Sequence, residues 1–177
     1  MANSINSVTT GSGGLVSSAS GTDGKLEIKS GGTTVATFGA TGIEGYPQFV
    51  NSTEKVTVAA TAATGTINYD TGTQSVVYYT SNAAGDWTVN FRDSSGATLN
   101  SVLSTGESLT VVHLVTIGGS EYRNTTVQVD GSGITPEWQG GSAPTEGNAN
   151  SVDSYTYTII KTGDAAFTIL AALVQFA

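Results

Sequence analysis

The sequence contains no cysteine, only three prolines and a single methionine among its 177 residues. Without cysteine, disulfide bridges, thiol nucleophiles and thiolate zinc sites are excluded together. Charge is also scarce, because 14 acidic and six basic residues make up 11% of the chain, where about 25% is usual. The net charge of −8 argues against nucleic acid as a partner, since phosphate binding needs clustered Lys and Arg.

Long apolar runs are missing as well. The longest strictly apolar stretch, Ile169–Val174, falls far short of the ~20 residues that cross a bilayer, so no membrane insertion is expected. The first 24 residues contain no basic residue and no apolar segment of the kind found in secretory signals, so no export signal is expected either.

Small and hydroxylated residues dominate instead, with 23 glycines, 28 threonines and 20 serines. These residue types are poor helix formers. Strand-like runs separated by Gly-rich turns recur along the chain, a pattern typical of all-β proteins. The sequence therefore predicts an all-β fold.

The first 45 residues are poor in large apolar side chains. Leu26 and Ile28 alternate with charged residues, and a Gly31-Gly32 turn leads on to Val35 and Phe38, which predicts a β-hairpin with one thin apolar face. A weaker repeat follows at Ile43. Such a segment cannot offset its own ordering entropy, so we expect a stem closed by copies of the same chain in a homotrimer. The predicted trimer interface is Leu26, Ile28, Val35, Phe38 and Ile43.

Residues beyond about Tyr46 carry strand-like runs every 8–12 residues, the spacing of a sandwich or barrel. They predict an antiparallel, jelly-roll-like β-sandwich of two sheets. The predicted strands are Lys55–Ala62, Thr66–Tyr69, Ser75–Thr80, Trp87–Arg92, Thr98–Leu103, Ser108–Ile117, Tyr122–Val129, Ser154–Lys161 and Ala166–Phe176. The last run also suits a buried helix, because Ala and Leu favour helices; the short turn after Lys161 favours a strand.

A long Gly-, Pro- and Asn-rich loop is predicted between Asp130 and Asp153, and loops of this length are often functional. Its Trp138 suits two interpretations. The ring either plugs the end of the core or stacks on a sugar while neighbouring amides bind the sugar hydroxyls. The candidate glycan-binding residues are Trp138, Gln139, Asn148, Asn150 and Tyr122, with Asp153 close by.

No catalytic residue, metal site or cofactor is predicted. His113, the single histidine, fits a core position on a strand between Val111 and Val115; the alternative is a threefold axis where three copies meet around an anion or metal. The carboxylates stand at isolated positions, as solvated turn residues do. A paired-carboxylate glycosidase remains the enzymatic alternative, since two such groups can meet from distant strands.

Two stretches resemble virion fibre and decoration proteins of tailed bacteriophages, especially those of cyanobacterial and other marine phages. The first, DGKLEIKSGGTTVATFGATG at 23–42, is similar to the glycine-punctuated stem repeats of trimeric tail fibres. The second runs from WQGGSAPT at 138–145 to DSYTYTIIK at 153–161 and is similar to a module near the C-terminus of many phage structural proteins.

The resemblance implies a non-enzymatic phage structural protein on the particle surface. Residues 1–22 would form an arm that binds other virion proteins, residues 23–50 a trimeric stem, and residues 51–177 a head that attaches to host-surface polysaccharide. The chain is short for a tail fibre, which keeps open a head fibre or a capsid decoration protein that cements the shell without recognising a host.

Overall fold

The structure, a computed structural model, describes residues 26–30, 33–39, 42–44 and 53–176. The chain divides into two compact units, Met1–Ser52 and Thr53–Ala177. The predicted boundary between stem and head, at residues 50 and 51, lies two residues from this division. The predicted arm, residues 1–22, falls outside the described residues.

The first unit contains a three-stranded antiparallel sheet of β1 (Leu26–Ser30), β2 (Thr33–Gly39) and β3 (Gly42–Glu44). Leu26 pairs with Phe38, which pairs in turn with Ile43, so the predicted hairpin and its weaker repeat are confirmed. Phe38 and Ile43 are exposed at 39% and 41%, which is high for large apolar side chains. The trimer interface that they were predicted to form stays a prediction.

The second unit is built almost entirely of strands. They are β4 (Val56–Ala62), β5 (Gly65–Asp70), β6 (Val76–Ser81), β7 (Trp87–Arg92), β8 (Ser108–Ile117), β9 (Asn124–Val129), β10 (Ser132–Ile134), β11 (Glu137–Trp138), β12 (Ser151–Gly163) and β13 (Ala166–Phe176). The all-β prediction is confirmed, and the chain after the Lys161 turn is a strand rather than a helix. β10 and β11 were not predicted.

Two sheets pack around one core. The first has the strand order β10-β9-β7-β5, and the second has the order β11-β13-β12-β8-β6-β4. Both are mixed, because β4, β6 and β8 run parallel to one another, as do β5, β7 and β9. The prediction of purely antiparallel sheets is therefore wrong, and the jelly-roll connectivity is not confirmed.

The parallel pairing arises because the chain changes sheet at every connection from β4 to β9. Each β4–β5, β6–β7 and β8–β9 pair forms one coil, and the coils stack as in a short β-solenoid. Backbone hydrogen bonds continue around the corners, where the Ala84 amide donates to the Ala63 carbonyl at 3.0 Å and the Ala83 amide donates to the Thr116 carbonyl at 2.9 Å. Small buried residues at these corners allow the coils to approach closely.

The segment predicted as a strand at Thr98–Leu103 is instead a one-turn helix, α1 (Leu99–Val102). The Thr98 hydroxyl accepts a hydrogen bond from the Ser101 amide, and the Asp130 carboxylate accepts two more from the amides of Leu99 and Asn100 at 2.8 and 3.0 Å. These acceptors satisfy amides that a strand would offer to a neighbouring strand. No helix in the described residues is long and apolar enough to cross a membrane.

The core is rich in aromatic side chains supplied by both sheets. The rings of Trp87 and Tyr155 pack edge to face with their centroids 5.7 Å apart, and those of Phe91 and Tyr157 do so with centroids 5.0 Å apart. His113 lies in the middle of this cluster with no exposed surface, so the core interpretation is right. The axial alternative fails, because aromatic rings enclose the imidazole inside the head.

The outer face of the four-stranded sheet is polar and arranged in rows. Asn68 pairs with Asn90, whose side-chain amide donates to the Asn68 side-chain oxygen at 2.9 Å. In the next row Arg92 forms an ion pair with Asp70 at 2.5 Å, and this hydrogen bond raises the pKa of Arg92. The in-register pairing of β5 with β7 places polar residues of the two strands side by side. This face is therefore hydrophilic.

Candidate functional site

The predicted long loop contains two short strands. Its start, Asp130-Gly131, links β9 to β10 as a two-residue hairpin in which both φ angles are positive, +51° and +82°. Asp-Gly is a strong sequence signal for this turn type, so the hairpin was predictable and was missed. The loop then returns to the other sheet, where β11 pairs in parallel with β13.

Trp138 is the central residue of this region. It lies beside Ala171 on the sheet and is half-buried. Its ring packs in T-shaped geometry against the rings of Tyr155 and Tyr157, with centroid distances of 6.4 and 6.2 Å. These contacts support the interpretation of Trp138 as a plug at the end of the core. The same side chain also lines two grooves, so a structural role and a binding role are compatible.

The first groove has a volume of about 640 Å³ and lies along β9 and the segment before β11. Its lining mixes Thr125, Thr126 and Thr135 with Pro136 and the charged pair Arg123 and Glu137. Arg123 is also 3.9 Å from Asp86, so its charge is partly matched outside the groove.

The second groove, on the other side of Trp138, has a volume of about 840 Å³. Trp138, Gln139 and Asn148, three of the predicted glycan-binding residues, line it together. It contains no basic side chain, and its remaining polar groups are Glu121, Ser142, Thr145, Glu146 and Gln175. An aromatic edge with amides, hydroxyls and carboxylates can hydrogen-bond neutral sugar hydroxyls, whereas the two carboxylates would repel an anionic sugar.

Tyr122 and Asn150 do not line this groove. Tyr122 is half-buried, and its backbone lies so close to Gly147 that a side chain at position 147 would overlap the Tyr122 carbonyl. Asn150 has a φ of +57° and its amide donates to the Gly118 carbonyl at 3.0 Å, so it shapes the turn into β12. The structure therefore separates these two residues from the groove that holds the other three.

Asp153 supports the groove without lining it. The side chain has no exposed surface, and its carboxylate accepts a hydrogen bond from the backbone N–H of Asn148 at 3.1 Å. Burial raises the pKa of Asp153, and the hydrogen bond from Asn148 opposes this effect. Ser151 adds a second link by donating to the Asn148 carbonyl at 2.7 Å. Asn148 is thus held through both its backbone N–H and its backbone carbonyl.

The prediction that the carboxylates are solvated turn residues is wrong for Asp153, because its side chain is buried. Glu121, Thr145 and Gln175 were not predicted as lining residues. Each reaches the groove from a different part of the chain, so sequence proximity to Trp138 gave no signal for Glu121 or Gln175.

The described residues contain no cluster of three or more His, Asp or Glu side chains able to hold a metal ion. Comparison with family models, curated proteins and solved structures finds no match to this chain. The second groove and the sequence resemblance are therefore the two grounds for assigning a function.

Proposed function

We propose that this chain is a non-enzymatic structural protein of a tailed phage particle, a homotrimeric tail or head fibre whose β-sandwich head attaches to polysaccharide on the host surface. The observation that carries the attachment role is the second groove, where Trp138, Gln139 and Asn148 come together. Localisation on the particle and the contact of residues 1–22 with other virion proteins follow from the sequence resemblance.

The mechanism is multivalent. A single shallow groove offers one aromatic edge and a few hydrogen bonds, which is typical of weak binding to a sugar. Three grooves on one rigid axis raise the avidity through effective concentration, without any new contact. The acidic lining favours a neutral sugar as the ligand.

Gln139 offers the sharpest test, because its side chain is exposed and supports no core contact. The tagged full-length protein is applied to an array of neutral and acidic oligosaccharides. Replacing Gln139 by Ala should weaken binding to the neutral glycans by about fivefold per site, the value of one hydrogen bond of about 1 kcal/mol. Gln128→Ala, which removes the same side chain from β9 outside both grooves, is the matched control and should bind like the parent.

Equal binding by Gln139→Ala and the parent would remove the groove as the site. Selective binding to acidic glycans would contradict the electrostatic argument. Release of new reducing ends from a bound polysaccharide would replace attachment by the glycosidase alternative.

A capsid decoration protein that cements the shell is the competing function. The observation that favours it is the packing of Trp138 on Tyr155 and Tyr157, which a head without any ligand would also need. Adsorption separates the two functions, because the purified fibre head should block phage adsorption to cells and a cement protein should not.

A further inference from the structure

Within the second unit, the six-stranded sheet has an outer face that no other described element of that unit covers. Burial alternates along its strands: Val111, His113 and Val115 of β8 are buried, and the residues between them point outward. β12 shows the same alternation over its whole length. We call the outward-facing residues of β4, β6, β8, β12 and β13 the outer apolar face.

Apolar side chains lie across the full width of this face, with Ser and Thr between them. The strand registers place five outward residues side by side across the sheet, namely Val58, Tyr78, Leu114, Ser154 and Val174. The exposure of single residues is high, at 65% for Val58 and 55% for Phe176. The outward residues of these five strands are all apolar, Ser or Thr. The first acid on this side is Glu137, beside Leu170 on the short edge strand β11.

The two outer faces of the head thus differ in character. The four-stranded sheet presents the Asn68–Asn90 and Asp70–Arg92 rows to solvent, whereas the outward residues of β4, β6, β8, β12 and β13 carry no charge. A chain of net charge −8 repels its own copies wherever carboxylates meet. The outer apolar face is a place where two copies can approach without that cost.

The size of the face also suits an interface. With strands about 4.8 Å apart and about 3.3 Å per residue, it measures about 20 Å by 25 Å, a projected area of about 500 Å². Apolar patches on monomers reach about 300–600 Å², and the larger ones are often functional. A standard interface buries about 800 Å² of accessible surface per partner, so this face, divided between two neighbouring copies, would add to a stem interface rather than replace it.

We propose that the outer apolar face is the surface through which the heads of this chain pack against further copies of the same chain. The inference builds on the homotrimer of the proposed function and extends the interface between copies from the stem into the head. Each copy shares its face with its two neighbours, which leaves the polar face of the four-stranded sheet in solvent.

The absence of cysteine from the sequence makes thiol labelling a clean test in the full-length protein. Val58→Cys places one thiol on the outer apolar face and away from both grooves, and Thr126→Cys places one on the exposed face of β9. We expect the Val58→Cys thiol to react with a maleimide at least tenfold more slowly than the Thr126→Cys thiol, and equally fast in denaturant. Sedimentation should show the unmodified chain as an oligomer.

Two variants that each introduce one carboxylate provide the second measurement. Val58→Glu should weaken the association at least tenfold in sedimentation at matched concentrations, and Thr126→Glu should leave it unchanged. Unaltered circular dichroism in both variants keeps the comparison independent of folding.

An oligomer with a freely reactive Val58→Cys thiol would overturn this inference alone, because the copies would then meet through the stem only and the fibre would stand. A monomer with a freely reactive thiol would overturn both the inference and the trimeric fibre. A monomer with a protected thiol would show that something other than a further copy covers the face, and would also overturn the inference.

Discussion

His113 makes the stability of the head depend on pH in a direction that the structure determines. Its imidazole lies among the rings of Tyr69, Tyr79, Trp87 and Tyr155, with centroid distances of 6.3, 5.5, 5.9 and 6.5 Å. Neither ring nitrogen has a hydrogen-bond partner among the described residues. Burial lowers the pKa of His113 from 6.5 to about 3, so the folded protein keeps this side chain neutral.

The unfolded chain takes up a proton at His113 near pH 6.5, whereas the folded chain does so only near pH 3. The unfolded state therefore binds more protons in this window, and the free energy of unfolding falls as the pH decreases through it. At about 1.4 kcal/mol per pKa unit, the loss between pH 7 and pH 5 is about 2 kcal/mol.

His113→Phe tests this reasoning, because phenylalanine keeps an aromatic ring and removes both nitrogens. The variant should be at least as stable as the parent at pH 7, since two unpartnered polar atoms leave the core. It should also lose about 2 kcal/mol less than the parent between pH 7 and pH 5. Urea unfolding followed by tryptophan fluorescence, at fixed protein concentration, measures both quantities.

The neighbouring titratable groups do not obscure the comparison. Burial raises the pKa values of Tyr69, Tyr79 and Tyr155, so these phenols stay neutral in acid. The raised pKa of Asp153 acts in the opposite direction, because the folded state then holds the extra proton, but this effect is present in both proteins. Equal pH dependence of the parent and His113→Phe would refute the argument.

Two further predictions concern backbone positions near the groove and the helix. Asp130→Ala should cost about 2 kcal/mol in urea unfolding, because it removes the two acceptors for the Leu99 and Asn100 amides and puts Ala at a positive φ; Asp130→Asn, which keeps an acceptor and tolerates that φ, should lose less, and an equal loss would contradict the capping role. Gly147→Ala should cost at least about 2 kcal/mol, because its Cβ would overlap the Tyr122 carbonyl. Gly119→Ala meets nothing within 4 Å and should be neutral, so similar melting temperatures for the two glycine variants would contradict the close packing.

Strand positions were predictable because burial on alternate residues leaves a local pattern. Trp87, Val89 and Phe91 alternate with polar residues in the sequence, and all three are buried in the head. Strand direction left no such pattern. Alternation is the same in parallel and antiparallel sheets, and the two-residue link at Ala63-Thr64 resembles a hairpin although it carries the chain from one sheet to the other.

The errors in prediction share a physical origin in distant partners. The segment at Thr98–Leu103 has strand-like residues, but Asp130, far along the chain, supplies the acceptors that make it a helix. Asn148 and Asn150 look equivalent in the sequence. The buried carboxylate of Asp153 holds the first at the groove, and the Gly118 carbonyl holds the second in a turn.

The sequence by itself determined the strand content, most of the core and the position of Trp138 in a polar loop, because residue type and alternation set these locally. Tertiary structure decided the coiled path through two mixed sheets, the burial of Asp153, the lining of the groove by Glu121 and Gln175, and the contrast between the polar and apolar outer faces. These features depend on which strands become neighbours, and that choice follows from packing the whole core at once.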